Sequence, residues 1–246
     1  MLVERLPDRV VVTLDRPEVR NAIDQATIDE LHAVCAELEA EPRILIIAGS
    51  GGVFASGADI AQLRDRTGED ARTGINSAAF IRIHALPMPV IAAVDGYALG
   101  GGAELAYAAD IRIASTTAKF GNPETGLGII PAAGATWRLP EIVGGGRATE
   151  LLLTGRIIDA EEALAIGLVS ALFVPDDLLP AAHSLADRIV ANDPRATQLT
   201  KVALAAPQDQ HPAVELEAQA ELFDSPEKHR RMTEFLERPR SKRRTT

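Results

Sequence analysis

Short unbroken apolar runs alternate with amphipathic stretches through the first two thirds of the chain. Residues 10–14 (VVVTL), 43–48 (RILIIA), 90–94 (VIAAV) and 111–114 (IRIA) are too short for buried helices and rich in β-branched side chains, so they read as strands. Between them the pattern turns helical. Asp24 stands where a side-chain oxygen caps a helix over 25–40, which Pro42 ends. A second helix is expected over 75–85, stopped by Pro87 and Pro89, and a third over 101–109. Residues 64–74 are polar and charged, without a period that predicts an element.

Three glycine-rich segments interrupt this order and read as loops: 49–60 (GSGGVFASGADI), 96–104 (GYALGGGAE) and 120–135 (FGNPETGLGIIPAAGA). Beyond them, helices are expected over 137–142, 147–154 and 160–166, and a last strand over 168–174. Four further helices follow, over 178–191, 195–205, 213–223 and 227–237, the last three divided from one another and from the first by Pro194, Pro212 and Pro226. Strands alternating with helices, then helices alone, indicate an α/β protein with a helical C-terminal part.

Composition narrows the class. The chain has 246 residues, of which 46% are hydrophobic and 24% charged, enough for a substantial core in one large domain or a domain with an appendage. A formal charge of −10 argues against a general nucleic-acid binder, and scarce aromatics argue against stacking platforms for single strands. The exception is an acid-free basic tail, Arg238, Arg240, Lys242, Arg243 and Arg244, which reads as a solvated end. The single cysteine, Cys35, shares a helical face with Ile28, Leu31 and Leu38, so it reads as a core thiol in a reducing compartment. With no signal-peptide pattern at the start and no apolar run of membrane-spanning length, a cytoplasmic protein with no membrane partner is expected.

Common chemical motifs are missing: there is no phosphate loop, no GxGxxG after a strand, no GxSxG elbow, no HExxH and no paired-cysteine metal site. What stands out is a pair of glycine-rich loops, each after a buried strand, and two nearby glutamates. Taken alone, 96–104 reads more simply as a glycine-softened turn with an acid in the first turn of a helix. Glu124, in NPETG, taken alone reads as a surface loop acid. Together they form a different set: bare backbone N–H groups suited to an oxyanion and two carboxylates suited to proton transfer. That set fits chemistry through an enolate beside a thioester or similar carbonyl.

Residues 54–60 (FASGADI), 89–114 (PVIAAVDGYALGGGAELAYAADIRIA), 120–144 (FGNPETGLGIIPAAGATWRLPEIVG) and 151–170 (LLLTGRIIDAEEALAIGLVS) resemble the crotonase, or enoyl-CoA hydratase/isomerase, superfamily. The resemblance extends into the C-terminal FDSPEKHRRMTEFLERP. It implies a spiral of β-β-α units forming two roughly perpendicular sheets over 1–190, and a helical oligomerisation region over 191–246 that gives homotrimers or homohexamers. It further implies an oxyanion hole made by the backbone N–H groups of Ala58 and Gly101. Ser56, Ala58, Asp59, Ile60 and Gly101 would contact the substrate, and Glu104 and Glu124, twenty residues apart, would be catalytic. No metal or redox cofactor is implied, since coenzyme A belongs to the substrate.

Hydratases of the superfamily keep both glutamates, whereas the isomerases generally rely on the later one. The expected reaction is therefore reversible hydration of a trans-2-enoyl-CoA to a 3-hydroxyacyl-CoA, as in fatty-acid β-oxidation. An enoyl-CoA isomerase or another acyl-CoA dehydratase on the same scaffold is the alternative. A non-catalytic acyl-CoA- or RNA-binding relative fits the paired acids and the acidic charge less well. Some positions depart from the pattern. Ala61 and Glu18 stand where basic residues near the CoA phosphates are common, which leaves Arg16, Arg20, Arg64 or the basic tail for that task. Trp137 replaces a common glutamine, and Ala133 and Ala135 replace common glycines.

Overall fold

A computed structural model describes residues 1–237, so the basic tail from Arg238 onward lies outside the described residues. The chain forms two compact units, Met1–Arg188 and a second that begins at Ile189. The first opens with β1 (Leu2–Arg5) paired antiparallel to β2 (Arg9–Leu14). Helix α1 (Gln25–Ala40) follows, its first turn closed by the Asp24 carboxylate, which accepts from the Thr27 N–H at 2.8 Å. Its buried stripe, Ile28, Leu31, Val34, Cys35 and Leu38, repeats every three to four residues and packs into the core.

A three-part pattern then recurs. A long buried strand is followed by a short strand and then by helix. The first round is β3 (Ile44–Gly49), β4 (Val53–Ala55) and the helices α2 (Ile60–Asp65), α3 (Gly68–Arg72) and α4 (Ile75–His84). The second is β5 (Val90–Val94), β6 (Tyr97–Leu99) and α5 (Gly101–Ala108). The third is β7 (Ile111–Ser115), β8 (Lys119–Gly121), a 3-10 turn (Pro123–Leu127), α6 (Ala135–Val143) and α7 (Gly145–Thr154). The unit continues through β9 (Ile158–Asp159), α8 (Ala160–Ala165), β10 (Leu172–Phe173) and all but the last two residues of α9 (Pro175–Val190).

Each round leaves one strand in each of two sheets. The long strands form a six-stranded sheet ordered β1-β2-β3-β5-β7-β10, parallel except for the β1–β2 pair. The short strands form a four-stranded sheet ordered β4-β6-β8-β9, parallel except for β8–β9. β5 is buried at every position, as a central parallel strand covered on both faces requires. Among the described residues no helix is long and apolar enough to cross a membrane.

The α/β architecture with two sheets and a β-β-α repeat is the one the resemblance implies. Three segments read as loops hold short strands: β4 lies within 49–60, β6 within 96–104 and β8 ends within 120–135. The polar 64–74 stretch holds the end of α2 and all of α3, which begins at a Thr67–Asp70 capping box. The strand expected over 168–174 shrinks to Leu172–Phe173. Its apolar start is spent otherwise: Leu168 and Val169 donate to the Ala163 carbonyl at the end of α8 and are buried in the core.

The second unit contains α10 (Pro194–Ala205), α11 (Ala213–Phe223) and α12 (Pro226–Glu237). Asp193 caps α10 through the Ala196 N–H at 2.7 Å, and Arg195 bridges α10 to α11 through Glu221. None of the three helices buries a residue in this chain alone.

The seat of α5 on β4 admits no side chain. A Cβ on Gly102 would lie 2.2 Å from the Ala55 carbonyl oxygen and 2.7 Å from the Ala55 Cβ. Gly102→Ala is therefore expected to lower unfolding stability by roughly 2–3 kcal/mol through overpacking. Gly146→Ala, in α7 with open space around the added methyl, should be neutral or slightly stabilising. Urea unfolding of both variants checks this, and equal midpoints for the two would contradict the packing account.

Candidate active site

The segment after β4 runs beside the loop before α1. The Ile23 N–H donates to the Gly57 carbonyl at 2.8 Å, and the Asp59 N–H donates to the Ile23 carbonyl at 3.0 Å. In an extended segment successive amides point to opposite sides, so the intervening Ala58 N–H is turned away from Ile23. Across from it, Gly101 is the first residue of α5, and the first N–H groups of a helix have no intrahelical acceptor. A Cβ on Gly101 would lie 3.4 Å from the Ala58 nitrogen. Among the described residues neither N–H has a protein acceptor. The two donors expected of an oxyanion hole are therefore together and bare.

Both glutamates are buried, Glu104 to 3% exposure and Glu124 to 8%. Glu104 projects from the first turn of α5, and its Oε1 accepts from the Ala133 N–H (2.7 Å) and the Ala135 N–H (3.1 Å). Glu124 sits in the 3-10 turn that Pro123 starts. Its Oε1 accepts from the Asn122 amide at 3.4 Å, and its Oε2 is buried without a partner. Gly100 makes room for it: with φ at +51°, a backbone region that disfavours side chains, a Cβ here would lie 3.1 Å from Glu124 Oε1.

A cavity of about 530 Å³ is lined by Ala58, Gly101, Glu104 and Glu124 together, and by Ser56 and Ile60 among others. Asp59 is not among its lining residues; its carboxylate caps α2 by accepting from the Gln62 N–H at 3.0 Å. Apolar side chains, Leu63, Ile75, Leu127, Ile129 and Ile130, make up much of the rest of the wall. Of the cations named for the CoA phosphates, Arg16 pairs with Asp24 at 2.6 Å and Arg64 with Asp65 at 2.8 Å, while the Arg20 side chain is exposed.

Burial raises both carboxyl pKa values, because a charged carboxylate loses water there. For Glu104, burial first and the neighbouring Glu124 charge after it lift the pKa to about 7, against the pull of the Ala135, Ala133 and Gly134 N–H groups. Glu124 is raised by burial and held back by its backbone and by the Asn122 amide. The Glu124 charge is one of the causes that raise Glu104, so the two carboxyls titrate as a coupled pair. Facing two oxyanion donors, they can take a proton from one atom of a bound thioester's neighbourhood and give one to another.

Three further residues of the site lie outside the sequence-based set. Tyr107 and Asn122 form a buried hydrogen bond behind Glu124, and Asn76 of α4 brings its amide beside Gly101. Asn122 stands two residues before Glu124, a proximity that could have marked it; nothing in the sequence marks Asn76.

Residues 9–243 match the family described as enoyl-CoA hydratase/isomerase. A short-chain-enoyl-CoA hydratase of Clostridium acetobutylicum is 41% identical over 97% of this chain and 95% of its own. A crotonyl-CoA hydratase of Syntrophomonas wolfei is 39% identical over the same shares, 97% and 95%. The crystal structure of an enoyl-CoA hydratase from Bacillus anthracis superposes with a TM-score of 0.91 at 34% identity, covering 96% of this chain and 95% of that one.

The raised Glu104 pKa makes a stability prediction. A carboxyl whose folded pKa exceeds its ordinary value of 4.5 favours the fold while protonated, so stability falls as pH rises from 4.5 through about 7 and is level above. The shift corresponds to about 3 kcal/mol. Glu104→Gln should remove this slope, so the variant gains stability over the parent at pH 8 relative to pH 5 by a few kcal/mol. Urea unfolding at the two values tests it; a pH-independent difference would contradict it.

Proposed function

The chain belongs to the enoyl-CoA hydratase/isomerase family and is an enoyl-CoA hydratase; we propose that it adds water reversibly to a short trans-2-enoyl-CoA through the site built on Glu104 and Glu124. The observation that carries this mechanism is the convergence of two buried, high-pKa carboxyls and two unsatisfied N–H donors on one cavity.

The thioester oxygen accepts from the Ala58 and Gly101 N–H groups. A water lies between the carboxyls over the β-carbon. Glu104 takes one water proton as the oxygen attacks that carbon, and the π electrons move onto the thioester oxygen as an enolate. The two N–H donors, with the positive end of the α5 dipole, stabilise that charge, each donor supplying roughly 2.7–4 kcal/mol in the transition state. Glu124 then delivers its proton to the α-carbon, the enolate collapses, and 3-hydroxyacyl-CoA leaves. The proton on Glu104 returns to the pair, restoring the starting state. No metal or redox group enters these steps, and coenzyme A is carried in as substrate. The short acyl group follows the substrates named for the relatives; the setting proposed with it is acyl-CoA β-oxidation in the cytoplasm.

Assembly into a homotrimer or homohexamer is part of the reading. Leu216, Phe223, Met232 and Phe235 on α11 and α12 are about half or more exposed in the single chain, an apolar surface suited to a second copy. Sedimentation equilibrium should give a trimer or hexamer mass; a stable monomer would remove the oligomer from the proposal.

Glu104→Gln and Glu124→Gln should each lower kcat for crotonyl-CoA hydration by about 10²-fold or more. Loss of the enone absorbance, with the product heavier by one water, follows the reaction on a panel of enoyl-CoA thioesters. Wild-type rates in both variants would overturn the two-acid mechanism. Faster turnover of a 3-enoyl-CoA, with only the Glu124 variant impaired, would favour the isomerase.

A further inference from the structure

Asn122 and Tyr107 have no part in the mechanism above, yet both are buried in the wall behind it, Asn122 to 2% exposure and Tyr107 to 4%. Tyr107 lies three residues after Glu104 on α5. Its hydroxyl donates to Asn122 Oδ1 at 3.1 Å. The other end of the amide faces two acceptors. Asn122 Nδ2 lies 3.4 Å from Glu124 Oε1 and 3.5 Å from the Gly100 carbonyl oxygen. Only one orientation of the amide satisfies all three neighbours. Reversed, its oxygen would confront a carboxylate oxygen and a carbonyl oxygen, both acceptors.

Resting on the two-glutamate reading, we propose that Tyr107 and Asn122 are positioning residues that hold Glu124 and the Gly100–Gly101 peptide in register. The phenol fixes the amide. One amide hydrogen holds Glu124 Oε1, which leaves Oε2, the buried atom without a partner, as the oxygen that moves protons. The second amide hydrogen meets the carbonyl of the peptide whose nitrogen is the Gly101 donor. A hydrogen bond to a peptide oxygen polarises the whole amide and strengthens its N–H as a donor. One side chain therefore touches both halves of the site.

The charged and titratable groups around Glu124 set the sign of the test. Glu104 and Tyr107 face it from α5, and Arg112 of β7 lies beyond Tyr107 with its guanidinium donating to the Ala109 and Leu168 carbonyls. Arg66 and Asp70 line the same cavity. None of these replaces the amide as a donor to Oε1 among the described residues. An N–H donor favours the carboxylate, so its loss raises the Glu124 pKa. Hydration needs Glu124 protonated, so the alkaline limb of kcat/KM moves to higher pH.

Crotonyl-CoA hydration by the full-length enzyme is compared for wild type, Asn122→Leu, the near-isosteric Tyr107→Phe, and the double variant. Asn122→Leu should lower kcat about 10- to 100-fold with KM within about threefold, and move the alkaline limb up by about one pH unit. Tyr107→Phe should move it the same way by less. The double variant should match Asn122→Leu alone, since both act through one amide. If Asn122→Leu does not fold, the Tyr107→Phe shift alone decides. A rate loss with an unmoved alkaline limb, or additive effects in the double variant, would overturn the proposal. Glu124→Gln run in parallel separates the two levels: if it retains wild-type hydration the two-acid reading fails, and if it is impaired while the limb stays in place only the positioning role fails.

Discussion

The first turn of α5 lies on β4 with nothing but backbone and one methyl between them. That contact seats α5 so closely that a Cβ on Gly101 would lie 3.4 Å from the Ala58 nitrogen. The long strands of the large sheet bring β3 and β5 side by side in register, Leu45 against Val90 and Ala48 against Ala93. Each then sends a short strand into the second sheet, where β4 and β6 pair. The two donors lie just past the ends of those two short strands. A shift in the β3–β5 register would separate them, so the core hydrophobic pattern and the proposed oxyanion site are one constraint.

Burying two carboxylates beside this contact works against stability. An unpaired buried carboxylate is costly, and close like charges add to the cost. The fold offsets the two unequally. Glu104 stands at a helix N-terminus, where the dipole favours negative charge, with two backbone N–H groups on one oxygen. Glu124 has a long amide contact on one oxygen and nothing on the other. A segment optimised for stability would give that second oxygen a donor. Leaving it bare fits an atom whose partner arrives with the substrate, in the way that functional sites hold the local exceptions to otherwise satisfied packing.

Much of this was legible in the residues, and the limits have physical causes. The buried strands β2, β3, β5 and β7 appear as unbroken aliphatic runs, and α1 shows both its cap and its stripe. β4, β6 and β8 do not, since strands of three residues among glycines have no period to detect and owe their pairing to the sheet already laid down beside them. At 168–174 an apolar run misled for a related reason: the character of Leu168 and Val169 reflects burial at a helix end rather than extension. That Glu104, Glu124, Ala58 and Gly101 line one cavity was legible only from the set and through family resemblance. Asp59 shows the remaining ambiguity: an acid before a helix has the same spelling as a cap and as a ligand contact, and here its carboxylate caps α2. Tyr107 and Asn122 were hidden because a tyrosine on an apolar helix and an asparagine before proline are ordinary core and turn residues until they meet in space.

The peptide between Gly100 and Gly101 is where the two halves of the site join. Its nitrogen is one of the two oxyanion donors in the proposed mechanism. Its oxygen accepts from the Glu104 N–H at 3.0 Å, which opens the α5 hydrogen-bond ladder, and faces the Asn122 amide. Charge building on a thioester oxygen at the nitrogen end would deepen the polarisation of that same peptide and strengthen both bonds at its oxygen. One of those bonds belongs to Glu104, the proposed base, the other to the amide beside Glu124, the proposed acid. The left-handed backbone at Gly100 turns the peptide so that its two ends face these different partners, and only a residue without a side chain fits there beside Glu124. In the proposed mechanism oxyanion stabilisation and proton transfer are thus tied at a single amide, and the glycine-rich sequence around it is the condition for that tie.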